Sequence, residues 1–497
     1  MYLDGRTRQR LGAASNRLSR WLAVLFPFSI AGSLWGQSYL VPPQGFQGAP
    51  GVPAMGTVVP PTSQSGSQVG NQTIERINDA ANGEPNNQQG NQNANAKENP
   101  NAAANGEANA TAEGSADTTA TPLTPPVDAI MRWGAVHTHL RAGYQFLYAS
   151  GLHVAPGVTE DTFTHTITPG LSLELGPHVT LDYSPSFRFY SEKGFHDTID
   201  QAVSLNAGIH VDNWTFGASQ SLATIDDPSA ETSAQTEQTL YSGGLVAVYS
   251  FNEKVSLATT AGVSFVYAGN SSVLRTNSGG IPIPTHGAVL SDSQSYSGGE
   301  RLNLGINDRL SLGAGISIGY INQSGGFTSV SLTYDGNITW RLGTRISANL
   351  TAGIQEQRFL HSNASELWNP VYSGSLSYQA FDQTSFSIYA NRGVSASLFA
   401  NQITETTAVG VGVQQRLVGK LHASLGAGYT LSDYKVAEGN LSTARSDSGY
   451  SVSAGIYFPF LKRCTFSAFY AYSQNISTFD DFGYSSSQVG LNLSWAY

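Results

Sequence analysis

From Val136 onward the chain alternates apolar residues with small or polar ones, segment after segment. In "VTLDYSPSFRFY" (Val179–Tyr190) Val179, Leu181, Tyr183, Pro185, Phe187 and Phe189 share one face, and Thr180, Asp182, Ser184, Ser186 and Arg188 the other. In "RLSLGAGISIGY" Leu310, Leu312, Ala314, Ile316, Ile318 and Tyr320 alternate with serine and glycine, and "SQVGLNLSWAY" carries the same beat to Tyr497. A period of two is the signature of strands with two unlike faces. Short turns, as at Asp212–Asn213, Asn307–Asp308 and Val418–Lys420, alternate with longer polar loops such as Ser191–Asp197, Asp226–Thr236, Gly269–Asp292 and Lys435–Ser446. The repeat is therefore a hairpin plus its loop. Eighteen strands are predicted, starting near Val136, Asp161, Val179, Thr198, Trp214, Glu237, Val255, Ser293, Arg309, Phe327, Thr344, Pro370, Thr384, Thr404, Lys420, Asp447, Arg463 and Tyr484. One hairpin more or fewer leaves twenty or sixteen open, and the count stays even.

A soluble sandwich alternates too, with its apolar face turned to a core. Here the opposite face is Gly, Ser, Thr, Asn and Ala rather than Lys and Glu, and the strands match the roughly 9–11 residues that cross a bilayer with tilt. Aromatics gather at both strand ends: Tyr144, Phe146, Tyr148, Phe265 and Tyr267 towards the long loops, Trp214, Phe216, Tyr249, Trp340 and Trp495 towards the short turns. Two aromatic girdles around an apolar band suit a membrane-spanning barrel. An open sheet edge in hydrocarbon would leave backbone groups unsatisfied, so the sheet must close. The expected fold is all-β, a closed antiparallel up-and-down transmembrane barrel. A propeller is the rival repeat, but its blades have four short strands.

Composition sharpens this reading. Charged residues are 12% of the 497, about half the usual share. The formal net charge of −10 supplies no basic stripe for nucleic acid. The single cysteine, Cys464, excludes an internal disulfide framework. Basic residues ahead of the apolar run Trp21–Gly36 read as a secretory signal peptide over residues 1–36. Residues 37–132, rich in Asn, Gln, Ala, Gly and Pro, hold too little apolar surface to fold and read as a disordered periplasmic segment. The barrel is expected over 133–497.

Signal peptide, short turns alternating with long loops, and a last strand ending on Tyr497 together resemble bacterial outer-membrane β-barrels. The Asn- and Gly-rich preface and the hairpins of similar length resemble porin-type barrels more narrowly. The resemblance implies a cell outer membrane of Gram-negative type, with lipid and lipopolysaccharide around the wall. It also implies that the barrel-assembly machinery reads the strand ending at Tyr497. The N-terminal segment and C-terminus would face the periplasm, and a homo-oligomer is compatible with such barrels.

A lumen walled by eighteen strands holds water. The expected function is passive diffusion of small hydrophilic solutes. A dedicated conduit for exported polysaccharide or one nutrient, and a closed structural or adhesion barrel, are the alternatives. Parity puts Arg141, Asp182, Arg188, Arg301 and Asp335 on the lumen face, as lining or constriction candidates. Glu174, Arg341, Arg345 and Arg416 fall near short turns, at the periplasmic mouth. Six arginines against three acids lean towards anions, unless opposite charges pair and brace the wall. The long loop Gly269–Asp292 either folds inward or stays on the surface. Catalysis is not marked by spacing: His137 and His139 share a face without a third ligand, and HExxH and a phosphate loop are absent. No cofactor and no metal site is expected.

Overall fold

The period-two segments become ladders in which every strand meets its sequence neighbours. The computed structural model describes residues 131–134, 136–176, 178–269, 290–360, 364–437 and 442–496. The predicted leader lies outside these residues, as do all but the last two positions of the low-complexity segment, loop residues 270–289, and Tyr497.

A short β1 (Met131–Trp133) precedes the wall. The wall begins with β2 (Val136–Ala155), β3 (Val158–Leu175), β4 (Val179–Tyr190), β5 (Thr198–Val211), β6 (Trp214–Ser229) and β7 (Ala234–Ser250). Next come β8 (Val255–Ala268), β9 (Ser293–Asn307), β10 (Leu310–Gln323), β11 (Thr328–Leu342), β12 (Ile346–Leu360) and β13 (Leu367–Phe381). It ends with β14 (Thr384–Ala396), β15 (Gln402–Val418), β16 (Leu421–Val436), β17 (Ser442–Leu461), β18 (Cys464–Ser477) and β19 (Tyr484–Ala496). A single 3-10 turn, Asp480–Phe482, sits between the last two.

From β2 to β19 each strand pairs antiparallel with the next, and β19 pairs with β2, so the sheet closes into an eighteen-strand barrel. Arg141 lies opposite Ala496 and Ser150 opposite Ser487 across this seam. β1 folds back along the start of β2, Met131 opposite Thr138, on the edge that β19 occupies farther along. Short turns tighten where the backbone turns left-handed, as at Gly343 (φ 68°) and Gly419 (φ 57°), a conformation glycine adopts without steric cost.

Leu312, Ile316 and Ile318 are 37, 44 and 47% exposed, so the apolar stripe faces outward rather than into a dry interior. Both aromatic girdles form: Trp214 stacks on Phe216 at 5.5 Å and meets Tyr249 at 4.9 Å near the short turns, and Tyr241 stacks on Phe265 at 5.6 Å near the long loops. No described helix is long and apolar enough to cross a membrane; strands make the crossing.

The eighteen predicted starts all fall close to observed ones, and the largest displacement is at β17, which begins at Ser442 rather than Asp447. Two predicted loops are corrected. Asp226–Thr236 is mostly strand, because β6 runs to Ser229 and β7 resumes at Ala234. Lys435–Ser446 shrinks likewise between Val436 and Ser442. The strand residues at their ends pair across extended hairpins.

Cys464 shares the outward face of Phe466 and sits opposite Trp495. A membrane-soluble thiol reagent is therefore expected to label it in proteoliposomes, and a membrane-impermeant one to react far more slowly. Equal labelling by both would break this register.

Candidate functional site

The lumen face is built from long side chains lying over glycines. Arg301 on β9 reaches across β10 to Asp335 on β11, and the pair is almost wholly buried. A Cβ on the intervening Gly315 would sit 3.2 Å from the guanidinium and 3.3 Å from the carboxylate, so glycine is what lets the ion pair lie flat on the wall. Arg141 on β2 reaches Asp182 on β4 in the same manner across Gly170, and also meets Ser184.

Arg188 pairs with two acids, Asp200 at 3.7 Å and Asp227. Glu174 lies 3.7 Å from His137 and 3.5 Å from His139, all on the lumen face near the short-turn mouth. The histidines thus turn away from lipid, and no described group of three ligating side chains could hold a metal ion. Arg345 meets Asp382 at 3.5 Å, Arg416 donates to the Gly419 carbonyl at 2.6 Å, and the Arg341 side chain is exposed at the same rim. Tyr497 lies outside the described residues. Asp200, Asp227 and Asp447 add three inward acids, and Arg445 one inward arginine.

At the long-loop end two hairpins turn inward. The turn of β6–β7 carries polar residues that would ordinarily seek water, yet Ser229, Glu231, Thr232 and Ser233 are completely buried. Burying them requires hydrogen-bond partners, and the partners come from the far side of the cylinder. The Glu231 carboxylate accepts hydrogen bonds from Ser397 Oγ at 2.5 Å and the Leu398 amide at 2.7 Å. Arg445 on β17 donates to the Glu231 carbonyl at 3.1 Å. Its guanidinium lies between the rings of Tyr434 (3.8 Å) and Phe482 (4.0 Å) and pairs with Asp447 at 3.2 Å.

The β14–β15 hairpin comes in to meet this tip. Its ladder with β13 stops at Arg392, while pairing with β15 continues to Ala396. Released from β13 but still laddered to β16 as far as Gln402, the hairpin turns Val394, Ala396 and Ile403 against Ile321, Phe327 and Phe359 in one buried cluster. Ile321 and Phe359 sit on the inward parity of β10 and β12, so the hairpin packs on the inside of the wall. Gln323 fastens its turn, donating to the Ser397 and Phe399 carbonyls at 2.8 and 2.9 Å and accepting from the Asn401 amide at 2.9 Å. Leu290 bridges to Phe399, and the Ser291 amide donates to the Leu398 carbonyl, so the close of the long loop joins the same contact. Burial pushes the Glu231 carboxyl above the ordinary carboxylate range, against the opposite pull of Ser397, the Leu398 amide and Arg445.

Sequence reading missed this constriction. Its partners are far apart along the chain, and a polar hairpin tip looks the same whether hydrated or docked.

Among solved structures the chain is similar to Pseudomonas aeruginosa OpdK with vanillate, at 11% identity and TM-score 0.41, covering 72% of this chain and 99% of that one. It is similar to Acinetobacter baumannii OccAB2 at 10% identity and TM-score 0.39, covering 72% and 98%. The corresponding figures for Pseudomonas aeruginosa OprD are 12%, 0.38, 72% and 95%. Scores this low bear no conclusion about what this chain does. No curated protein matches it. Over β11 to β19, residues 328–497, it matches the family model described as "Putative beta-barrel porin 2", and the barrel resembles those of porin type.

Proposed function

We propose that the protein is an outer-membrane, porin-like channel that passes small hydrophilic solutes down their gradients, with its outer mouth narrowed by the two crossed hairpins. The carrying observation is a polar-walled eighteen-strand lumen spanned at one end by the Glu231 contact with Ser397 and Leu398. Barrels of this strand number leave an aqueous bore, and the hairpins subdivide it. The braced pairs Arg301–Asp335 and Arg141–Asp182 keep the wall round under that load rather than choosing ions. In this reading the long loops face outward, both ends of the barrel face the periplasm, and the last strand is what assembly machinery engages.

Liposome swelling with graded neutral and charged sugars, run beside planar-bilayer recordings, tests this. The expected result is permeation that falls steeply with solute size and little with charge sign. Swelling by no solute would replace the channel with a closed structural barrel. Saturable uptake of one sugar alone would replace it with a dedicated conduit.

A further inference from the structure

The ladder between β13 and β14 stops short of its strands. It ends at Tyr372 opposite Arg392, yet β13 goes on pairing with β12 to Leu367, and β14 with β15 to Ala396. Leu367–Val371 and Gly393–Ala396 thus present two open margins to one another at the long-loop end. An open margin leaves backbone groups without ladder partners. On its other side the hairpin stays in the wall, since β15 pairs with β16 as far as Gln402. It is hinged along one edge and free along the other.

The margins match. Continued without a shift, the register sets Pro370 opposite Val394, Asn369 opposite Ser395 and Trp368 opposite Ala396. Trp368, Pro370, Val394 and Ala396 then share the outward parity of Leu376 and Ile388, which are exposed on the lipid side. Asn369, Gly393 and Ser395 share the inward one. The alternation that writes a lipid-facing wall therefore runs on to Ala396, past the last pair the wall holds. This structure uses those residues differently. Val394 and Ala396, each 3% exposed, pack inside the barrel against Ile321 and Phe359, while Trp368, 57% exposed, stays outside.

The inward position is held by that apolar packing, by Gln323 on the turn carbonyls and by Glu231 on Ser397 and Leu398. A side-chain bond crosses the open seam, from Asn369 Nδ2 to Glu405 at 3.0 Å. Glu405 would travel with its other partners, Arg392 at 3.2 Å and Lys435 at 2.5 Å, because all three sit on β14 to β16. A completed ladder would exchange these holds for backbone hydrogen bonds, to which Pro370 has no N–H to add. Each position satisfies what the other leaves open, which is the form of a bistable element.

We propose that the β14–β15 hairpin has two seats, the docked one and a second in which it swings out on β16, completes the ladder with β13 and clears the outer mouth. The effect on flow rests on the porin-like reading; the exchange of partners does not.

In a Cys464→Ser background, Trp368→Cys with Ala396→Cys reports the second seat. Opposed residues of a ladder lie about 4.5–5.5 Å apart at Cα, within the roughly 4.4–6.8 Å that a disulfide spans. The docked seat keeps the two on opposite sides of β13. Oxidation in proteoliposomes is expected to give an intramolecular disulfide, read by mass and nonreducing gel mobility, and Gln323→Ala to speed its formation several-fold. Trp368→Cys with Ser395→Cys, on opposite faces of the completed ladder, sets the background. Heat-modifiable gel mobility checks that each variant is folded. Single-channel conductance of the oxidised protein is expected to rise several-fold and to fall back on reduction. No disulfide above background, with or without Gln323→Ala, would overturn the second seat. A disulfide that leaves existing currents unchanged would overturn the clearing of the mouth. A disulfide in a protein that carries no current would uphold the two seats and sink the porin-like reading alone.

Discussion

Glu231→Ala is expected to raise single-channel conductance several-fold and to leave the barrel assembled. The substitution removes both hydrogen bonds that tie the β6–β7 tip to the β14–β15 turn, from Ser397 Oγ and from the Leu398 amide. Bonds to a charged group contribute about 1.5–3 kcal/mol each. Their loss loosens the tip, which keeps the Arg445 hydrogen bond to the carbonyl of residue 231, while the strand ladders, which hold the wall, are untouched. The same carboxyl makes the mouth respond to pH. Its closed-state affinity for a proton lies above the ordinary carboxylate value because burial disfavours charge. The closed state therefore binds more protons than the open one. Closure is fully favoured below the ordinary carboxylate range and weakens as pH rises towards the raised value. Conductance should climb over that window. The groups facing Glu231, namely Arg445, Asp447 and Tyr434, modulate the midpoint. Glu231→Gln keeps a hydrogen-bonding tip and should flatten the pH response. Planar-bilayer recordings decide: an alanine variant with wild-type conductance at every pH would show that the hairpins do not limit flow.

Asp335→Ala should be the most damaging single change in the wall. It strands the Arg301 guanidinium in a buried position, and an uncompensated buried charge costs roughly 3–5 kcal/mol. Replacing both partners, Arg301→Met with Asp335→Leu, should recover most of that loss, because the pair's mutual attraction is largely offset by its desolvation. Asp182→Ala should cost far less, since the Arg141–Asp182 pair is about one-quarter exposed and water screens what remains. Urea unfolding of the barrel in lipid vesicles measures all three. A wild-type midpoint for Asp335→Ala would mean that Arg301 is hydrated after all.

The wall was legible because a barrel repeats one rule. Alternation told which of Leu312 and Gly313 faces lipid, and turn spacing told where strands reverse, without any knowledge of distant contacts. The lumen was legible only by face. Parity put Arg301 and Asp335 on one side, but their meeting depends on Gly315 two strands' width between them, a relation that appears only once the ladders are in register. The crossed mouth was illegible for a stronger reason. Glu231 and Ser397 are brought together by two bends, and the serines and threonines of the tip satisfy water as readily as protein.

The seam between β2 and β19 sets how the molecule comes to exist. All other ladders of the wall join strands made one after another, whereas Arg141 must wait for Ala496. Until β19 joins, any sheet built from β2 onward carries two bare margins, each able to template pairing with another chain. The contact that removes them has the greatest sequence separation in the wall, so it is the slowest to find. β1 shields only Val136–Thr138 of one margin. A cell that makes this protein must keep nascent copies apart until the final strand emerges, and the persistence of the finished cylinder rests on how rarely that one join parts.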